Sequence, residues 1–283
     1  MNPVEGRGVQ SVEVAARVLQ ALVEIGAPAM LRDVATRAEI ASAQAHAYLV
    51  SFRKTGLVEQ DPATGRYLLG PFALQLGLAR MRQVDALREA ASAAAELAAR
   101  LGLMVTLSVW GTHGPTIVQV LESEEPIHVN LRAGGVYTLT GTATGRLFAA
   151  NLPQRLVEPL LEAELSPASP NRAIGKPTSK RDLAAAIARV KATGLSTTAG
   201  SPVPGINAIA VPVFDHTGQM RCALTLIGPE RSVAIDAAGP LAREVRDCAQ
   251  TVSAKLGFQA AGSPRAGPDR PARRARAAQS AAA

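Results

Sequence analysis

A chain of 283 residues, 47% of them hydrophobic, is long enough for two domains of ordinary size, each with its own core. The net charge of +7 is unevenly spread: residues 1–85 carry nine Lys/Arg against eight Asp/Glu, residues 86–258 carry 16 against 14, and residues 259–283 carry five against one, so bulk charge alone does not mark a nucleic-acid binder. "MNPVEGRGVQ" is no secretory leader, no window reaches the roughly 18 apolar residues of a membrane span, and Cys222 and Cys248 lie in no CxxC or Cys/His cluster, so a soluble cytoplasmic chain with no metal and no cofactor is expected.

In "VQSVEVAARVLQALVEIG", Val14, Val18, Ala21, Leu22 and Ile25 recur at helical spacing, with Ser11 as the expected cap and Gly26 as the stop. "MLRDVATRAEI" predicts a short second helix with Leu31, Val34 and Ala35 inward and a break near Glu39. A third helix is expected from about Ser42 to Lys54, with Ala45, Tyr48, Leu49 and Phe52 as its apolar stripe. Three short helices with a tight link between the last two match a helix-turn-helix. "LVEQD" and "RYLLG" then read as strands flanking "PATG", where Gly65 supplies a positive φ, so a wing follows the third helix.

From Pro71 the chain reads as a linker helix, broken near Gln83, followed by a longer Ala-rich helix. From Leu103 the period changes to two, and "LMVTLSVWG", "PTIVQVLES" and "PIHVNLRAG" read as strands. "GTATGRLFAAN", "LPQRLVEPLLEAEL" and "SKRDLAAAIARVKATG" read as helices, the last ended by Gly194. "INAIAVPVFD" and "MRCALTLIG" are strands joined by "HTG", and a final helix is expected over roughly Ser232 to Leu256. The fold class is α+β: a winged helix-turn-helix over 1–70, a linker helix over 71–84, a mostly antiparallel sheet carrying helices over 85–258, and a basic disordered tail over 259–283.

The third helix of a helix-turn-helix enters the major groove, so its outward face must be small or polar. Here that face is Ser42, Ala43, Gln44, His46 and Ala47. Gln44 can pair with adenine, Ser42 and His46 can reach bases or phosphates, and Ala43 or Ala47 can meet a thymine methyl. No arginine reads guanine from this face. Arg53, Lys54 and Arg66 are candidates for phosphate contacts. A winged helix that docks on protein and binds no DNA is the competing reading.

No catalytic constellation is present. Gly141 and Gly145 in "TGTATGRL" are one residue too close for a phosphate loop, with Arg146 where Lys is needed, and GxSxG and HExxH do not occur. His46, His113, His128 and His216 fall in four different elements, so the second domain reads as a binder, with an enzyme acting on a small organic acid as the alternative. At the Thr/Gly cluster two readings fit equally. N–H groups at a helix start, with the hydroxyls of Thr140, Thr142 and Thr144, make an anion site for a carboxylate effector; or Gly141 and Gly145 simply allow a helix to approach the sheet.

With these motifs in this order, the chain resembles the IclR family of bacterial transcriptional regulators from Val9 to about Leu256. "VQSVEVAARVLQAL" is similar to the family's opening helix and "AHAYLVSFRKTGLVEQDPATGRYLLGP" to its recognition helix and wing. "IHVNLRAGGVYTLTGTATGRLFAA" and "GINAIAVPVFDHTGQMRCALTLIGP" are similar to parts of its effector domain. The resemblance implies a GAF-like effector domain, a homodimer or tetramer on a palindromic double-stranded operator, and a small organic acid effector. The residues it implies around that acid are Thr140, Gly141, Thr142, Ala143, Gly145, Asn207, Ala208 and Thr225. The chain departs from the family's pattern: Ala208 replaces a frequent cysteine, "GLSTTAGSPVPG" lacks the usual acidic residues, and Ala47 replaces a frequent arginine. Glu39 stands at a turn position where glycine is common.

Overall fold

The first helix, α1 (Gln10–Ile25), buries Val14, Val18, Ala21 and Leu22, the stripe its spacing requires. The chain's computed structural model describes residues 8–124, 129–166 and 173–259, and it separates into two units, Met1–Val84 and Asp85–Ala283. Ser11 does not cap α1: Val9 holds the N-cap position and Ser11 lies inside the first turn. Gly26 ends the helix at φ 67, the left-handed conformation that costs glycine nothing.

Helix α2 (Leu31–Arg37) buries Val34 and Ala35, and α3 (Ser42–Lys54) buries Ala45 and Leu49. Between them Glu39 takes φ 54, a conformation that costs a side-chain-bearing residue on the order of 1 kcal/mol and here redirects the chain between the two helices. Tyr48 and Phe52 of α3 pack against the core formed by Val18, Leu22, Val34, Leu49, Val58 and Tyr67. Strands β1 (Val58–Gln60) and β2 (Tyr67–Leu69) pair antiparallel, so the wing follows α3 directly. The turn between them is held by the Asp61 carboxylate, which accepts from the Ala63 N–H and the Thr64 hydroxyl. Helix α4 (Pro71–Gln83) completes this unit, starting on a proline at N1 and burying none of its side chains in it.

In the second unit α5 (Ala86–Leu101) starts at Asp85, whose carboxylate accepts from the Leu87 and Arg88 N–H groups. The sheet runs in the order β4 (Gly114–Leu121), β3 (Met104–Gly111), β7 (Met220–Pro229), β6 (Ile206–Phe214), β5 (Ser196–Thr198), every adjacent pair antiparallel. Alternation along the strands gives it two unlike faces. Val105 and Leu107, Ile209 and Val211, and Leu224 and Leu226 point to one side, where Ala94 and Leu97 of α5 pack with Val245 and Val252 of α9 (Pro240–Lys255). The other face is trimmed to Thr106, Ala208, Ala210, Ala223 and Thr225. Over its Ala210–Ala223 end lies α6 (Ala143–Asn151), with Leu147 and Phe148 buried against it. Helices α7 (Gln154–Leu165) and α8 (Lys180–Thr193) follow, α8 opening on a reciprocal capping box of Ser179 and Asp182.

Three expectations differ from this. Val129–Gly134 form no strand, because the chain turns at Ala133–Gly134, and just beyond it pairs through the isolated bridges Thr116–Val136 and Tyr137–Ile174. Helix α9 begins at Pro240 and not near Ser232, since a residue before proline is pushed to extended geometry, as Gly239 is at φ −67, ψ 163. The three-residue β5 has too few alternating positions to be seen in the sequence. The tail from residue 260, and His128, lie outside the described residues.

Candidate effector pocket and DNA-reading face

On α3, Ser42, Ala43, Gln44, His46 and Ala47 are all exposed, while Ala45 and Leu49 are fully buried. The five expected readers therefore share one outward surface at the start of the helix. The α3 N-cap is Ala41, with no side-chain cap and no acidic residue in the first turn, so the first N–H groups are open to an anion such as a phosphate. The three expected phosphate-contacting cations differ. Arg53 donates to Gln60 Oε1 at 2.8 Å, and Gln60 donates onward to the Gly65 carbonyl at 2.9 Å, so Arg53 braces the wing to the end of α3. Arg66 donates to the Pro28 carbonyl at 3.1 Å. Lys54 makes no hydrogen bond or ion pair among the described residues and is exposed.

In the second unit a cavity of about 380 Å³, counted with its mouth, opens over the trimmed face of the sheet. Its floor is Ala208, Thr225 and Ile227, and its end wall is Thr142, Ala143 and Thr144, the N-cap and first turn of α6. Ile174, Val203, Ile206, Val129, Leu131 and the Tyr137 ring supply apolar walls. Among the described residues no carboxylate, guanidinium or ammonium group lines it.

Most of its polar atoms are already engaged. Thr142 Oγ1 accepts from the Gly145 N–H at 3.0 Å and donates to the Thr138 carbonyl at 2.8 Å, which fixes the start of α6. The hydroxyls of Thr144 and Thr225 share a buried hydrogen bond of 2.8 Å. Ser201 Oγ donates to the Gly141 carbonyl at 3.3 Å. Tyr137 shares a 3.3 Å hydrogen bond with Thr106 Oγ1, and burial pushes its phenol up to about 12. Thr198 is the exception: the residue lines the cavity, and its buried hydroxyl has no partner among the described residues. The Gly145 N–H in the first turn of α6 is spent on Thr142 Oγ1, while the Ala143 and Thr144 N–H groups ahead of it have no intrahelical acceptor.

Of the eight residues expected around an effector, the cavity brings together Thr142, Ala143, Ala208 and Thr225. The other four sit behind it. The N–H and hydroxyl of Thr140 donate to Glu164. A Cβ on Gly141 would stand 2.1 Å from the Lys176 carbonyl oxygen, and one on Gly145 would stand 1.9 Å from that of Thr138. Both glycines therefore serve close backbone approach. Asn207 donates to the Val233 carbonyl at 2.8 Å and accepts from the Gly200 N–H at 3.1 Å, holding the loop that ends at Val203. Sequence reasoning missed Thr198, Tyr137 and Ile174, whose only sequence signals are β-structure propensity and a position near glycine-rich turns.

A profile described as the IclR helix-turn-helix domain matches residues 11–62, and one described as bacterial transcriptional regulator IclR C-terminal matches residues 79–254. The glycerol operon regulatory protein of Streptomyces coelicolor is 31% identical over 253 residues, covering 89% of this chain and 98% of that protein. The HTH-type transcriptional repressor AllR of Escherichia coli K12 is 23% identical over 260 residues, covering 92% and 94%. Among solved structures, Pseudomonas aeruginosa HmgR superposes with a TM-score of 0.79 at 33% identity, covering 89% of this chain and 100% of that one. Agobacterium tumefaciens BlcR has the same fold, with a TM-score of 0.73 at 19% identity over 90% and 100% of the two chains. With both halves matched in order, and with the wing, the helix-turn-helix and the antiparallel sheet in place, this chain belongs to the IclR family of bacterial transcriptional regulators.

Proposed function

We propose that the chain regulates transcription by binding an operator through α3 and the wing, with an affinity set by a small organic acid held in the cavity of the second unit. The observation that supports the acid is that Thr198, with its buried unpartnered hydroxyl, and the N-cap and first turn of α6 line the same cavity. The positive end of a helix favours a carboxylate, worth roughly 0.3–1 kcal/mol where exposed and up to about 2 kcal/mol in partly buried geometry. The walls are apolar and, among the described residues, uncharged, so one carboxylate on a compact apolar body fits better than a dicarboxylate.

On the DNA side, Gln44 and His46 are the base-reading candidates and Ser42, Ala43 and Ala47 the small neighbours that let the helix approach. Lys54 is the best-placed phosphate contact, since Arg53 and Arg66 already donate within their own unit and fix the wing. The reading carries with it a homodimer or tetramer on a palindromic operator, in the cytoplasm. Regulation follows by linkage: an acid that binds one conformational state better shifts the protein towards that state.

The test is fluorescence anisotropy of the full chain on its own upstream DNA against scrambled competitor, beside Gln44→Ala and His46→Ala. Loss of sequence preference in the variants, with residual non-specific binding, is the expected result. Retained preference would remove α3 as the reader, and turnover of a bound acid would favour an enzyme.

A further inference from the structure

Three donors converge on one carboxylate beside the cavity. The Leu139 N–H donates to Glu164 Oε2 at 2.5 Å, and the N–H and hydroxyl of Thr140 donate to Oε1 at 3.0 and 2.5 Å. The Thr140 hydroxyl also accepts from the Thr178 N–H at 2.7 Å, so its single proton is directed at Glu164. A relay thus runs from Thr178 through Thr140 to a side chain on the last turn of α7. The anion expected on the N–H groups ahead of α6 is, at Leu139 and Thr140, an internal one.

Two walls of the cavity adjoin this relay. One is the approach to α6, where the Thr140 carbonyl accepts from Arg146 Nε at 2.7 Å and from Thr178 Oγ1 at 3.1 Å. The other is the strap 174–178, laid along 136–141. The Ile174 N–H donates to the Val136 carbonyl at 2.7 Å, and the Thr138 N–H donates to the Ile174 carbonyl at 2.9 Å. Ile174 lines the cavity, whereas Glu164 does not. No other carboxylate bonds this loop among the described residues; Glu164 holds Leu139 and Thr140 directly and reaches the strap through the Thr140 hydroxyl, beside the direct bonds between strap and loop.

We infer that Glu164 is a positioning residue for the effector cavity: its carboxylate fastens the approach of α6 at Leu139 and Thr140 to the last turn of α7, orients the Thr140 hydroxyl that receives the 174–178 strap, and so sets how readily the cavity opens. The inference rests on reading that cavity as the effector site. Glutamine is the discriminating replacement, because it keeps the shape but turns one oxygen into a donor, which must then face either the Leu139 or the Thr140 N–H. Thr140→Val breaks the same relay at its middle without touching α7.

The experiment uses the full-length chain with Ala208→Cys, which places a thiol on the cavity floor, alkylated by iodoacetamide and followed by peptide mass spectrometry. The native thiols interfere little: Cys222 is buried, its thiol pushed up to about 12, and burial raises that of half-buried Cys248. Adding Glu164→Gln or Thr140→Val should speed alkylation about ten-fold, the factor expected when an opening equilibrium loses one charge-assisted hydrogen bond. Hydrogen exchange in β3 and β7 should stay unchanged. Equal alkylation rates would overturn the latch, as would acceleration accompanied by faster exchange throughout the sheet, which would mean general loosening. The labelling needs no ligand. Protection of the same thiol by phenylacetate tests the acid-binding reading separately, so either can fail alone.

Discussion

The hydroxyls of Thr144 on α6 and Thr225 on β7 lie 2.8 Å apart and fully buried, joining the helix whose first turn walls the cavity to the sheet that floors it. Removing one partner strands the other. Thr225→Val should cost about 1–3 kcal/mol by urea unfolding, the penalty of an unsatisfied buried hydroxyl. Adding Thr144→Val should cost less than a second such step, because two apolar partners need nothing from each other. A strictly additive double variant would show that the pair is not coupled.

Gly145 and Gly77 should respond oppositely to alanine. At Gly145 the new Cβ would sit 1.9 Å from the Thr138 carbonyl oxygen, so the backbone must move and the cost should be about 3 kcal/mol or more. At Gly77, inside α4, nothing lies within 4 Å, and alanine should add about 0.5–1 kcal/mol by helix propensity. Chemical denaturation of the two variants checks both signs.

Tyr137 makes a prediction at alkaline pH. Its pKa is raised from 10 to about 12 by burial, so between those values the unfolded chain ionises while the folded one does not. Stability is therefore full below pH 10 and is lost as pH rises towards 12, by roughly 2–3 kcal/mol from this group alone. Urea unfolding at pH 9.5 and 11.5 should show a smaller fall for Tyr137→Phe than for the natural chain.

The cations around the wing should separate into two kinds. Lys54→Ala should weaken all DNA sequences alike and reduce the slope of log affinity against log salt by about 0.9, one phosphate's worth. Gln60→Ala removes no charge but releases Arg53 from its 2.8 Å brace, so it should loosen the wing and raise Kd with little change in slope. Anisotropy across a salt series distinguishes them.

Much of this was readable in the residues because it is periodic or local. The α3 stripe of Ala45, Tyr48, Leu49 and Phe52 decides its own outward face, and the Asp61 to Gly65 turn carries its own hydrogen bonds. The alternation of Ile209 and Val211 against Ala208 and Ala210 even records which side of the sheet is trimmed. What stayed hidden is contact at long sequence separation. Glu164 reaches Thr140 from 24 residues away, and nothing in "VEPLLEAEL" distinguishes it from Glu158 or Glu162, which lie on the same helix. Thr198 reads as an ordinary strand threonine until the strap, the α6 start and the loop at Val203 close around it. The Thr/Gly cluster showed where backbone comes close, but not that part of its donor capacity is spent internally.

The central claim is a coupling between the cavity and DNA binding, and it is tested most directly by measuring both halves of one thermodynamic cycle. Operator affinity of the full chain would be titrated with and without small monocarboxylates from pyruvate to phenylacetate, and acid affinity would be measured on free and operator-bound protein. The account expects one acid to change operator affinity by about 5–150-fold, the operator to change that acid's affinity by the same factor, and Thr198→Val to weaken the acid while sparing the DNA. An acid that binds with equal affinity to free and operator-bound protein, or sequence-selective DNA binding that no acid alters, would contradict it.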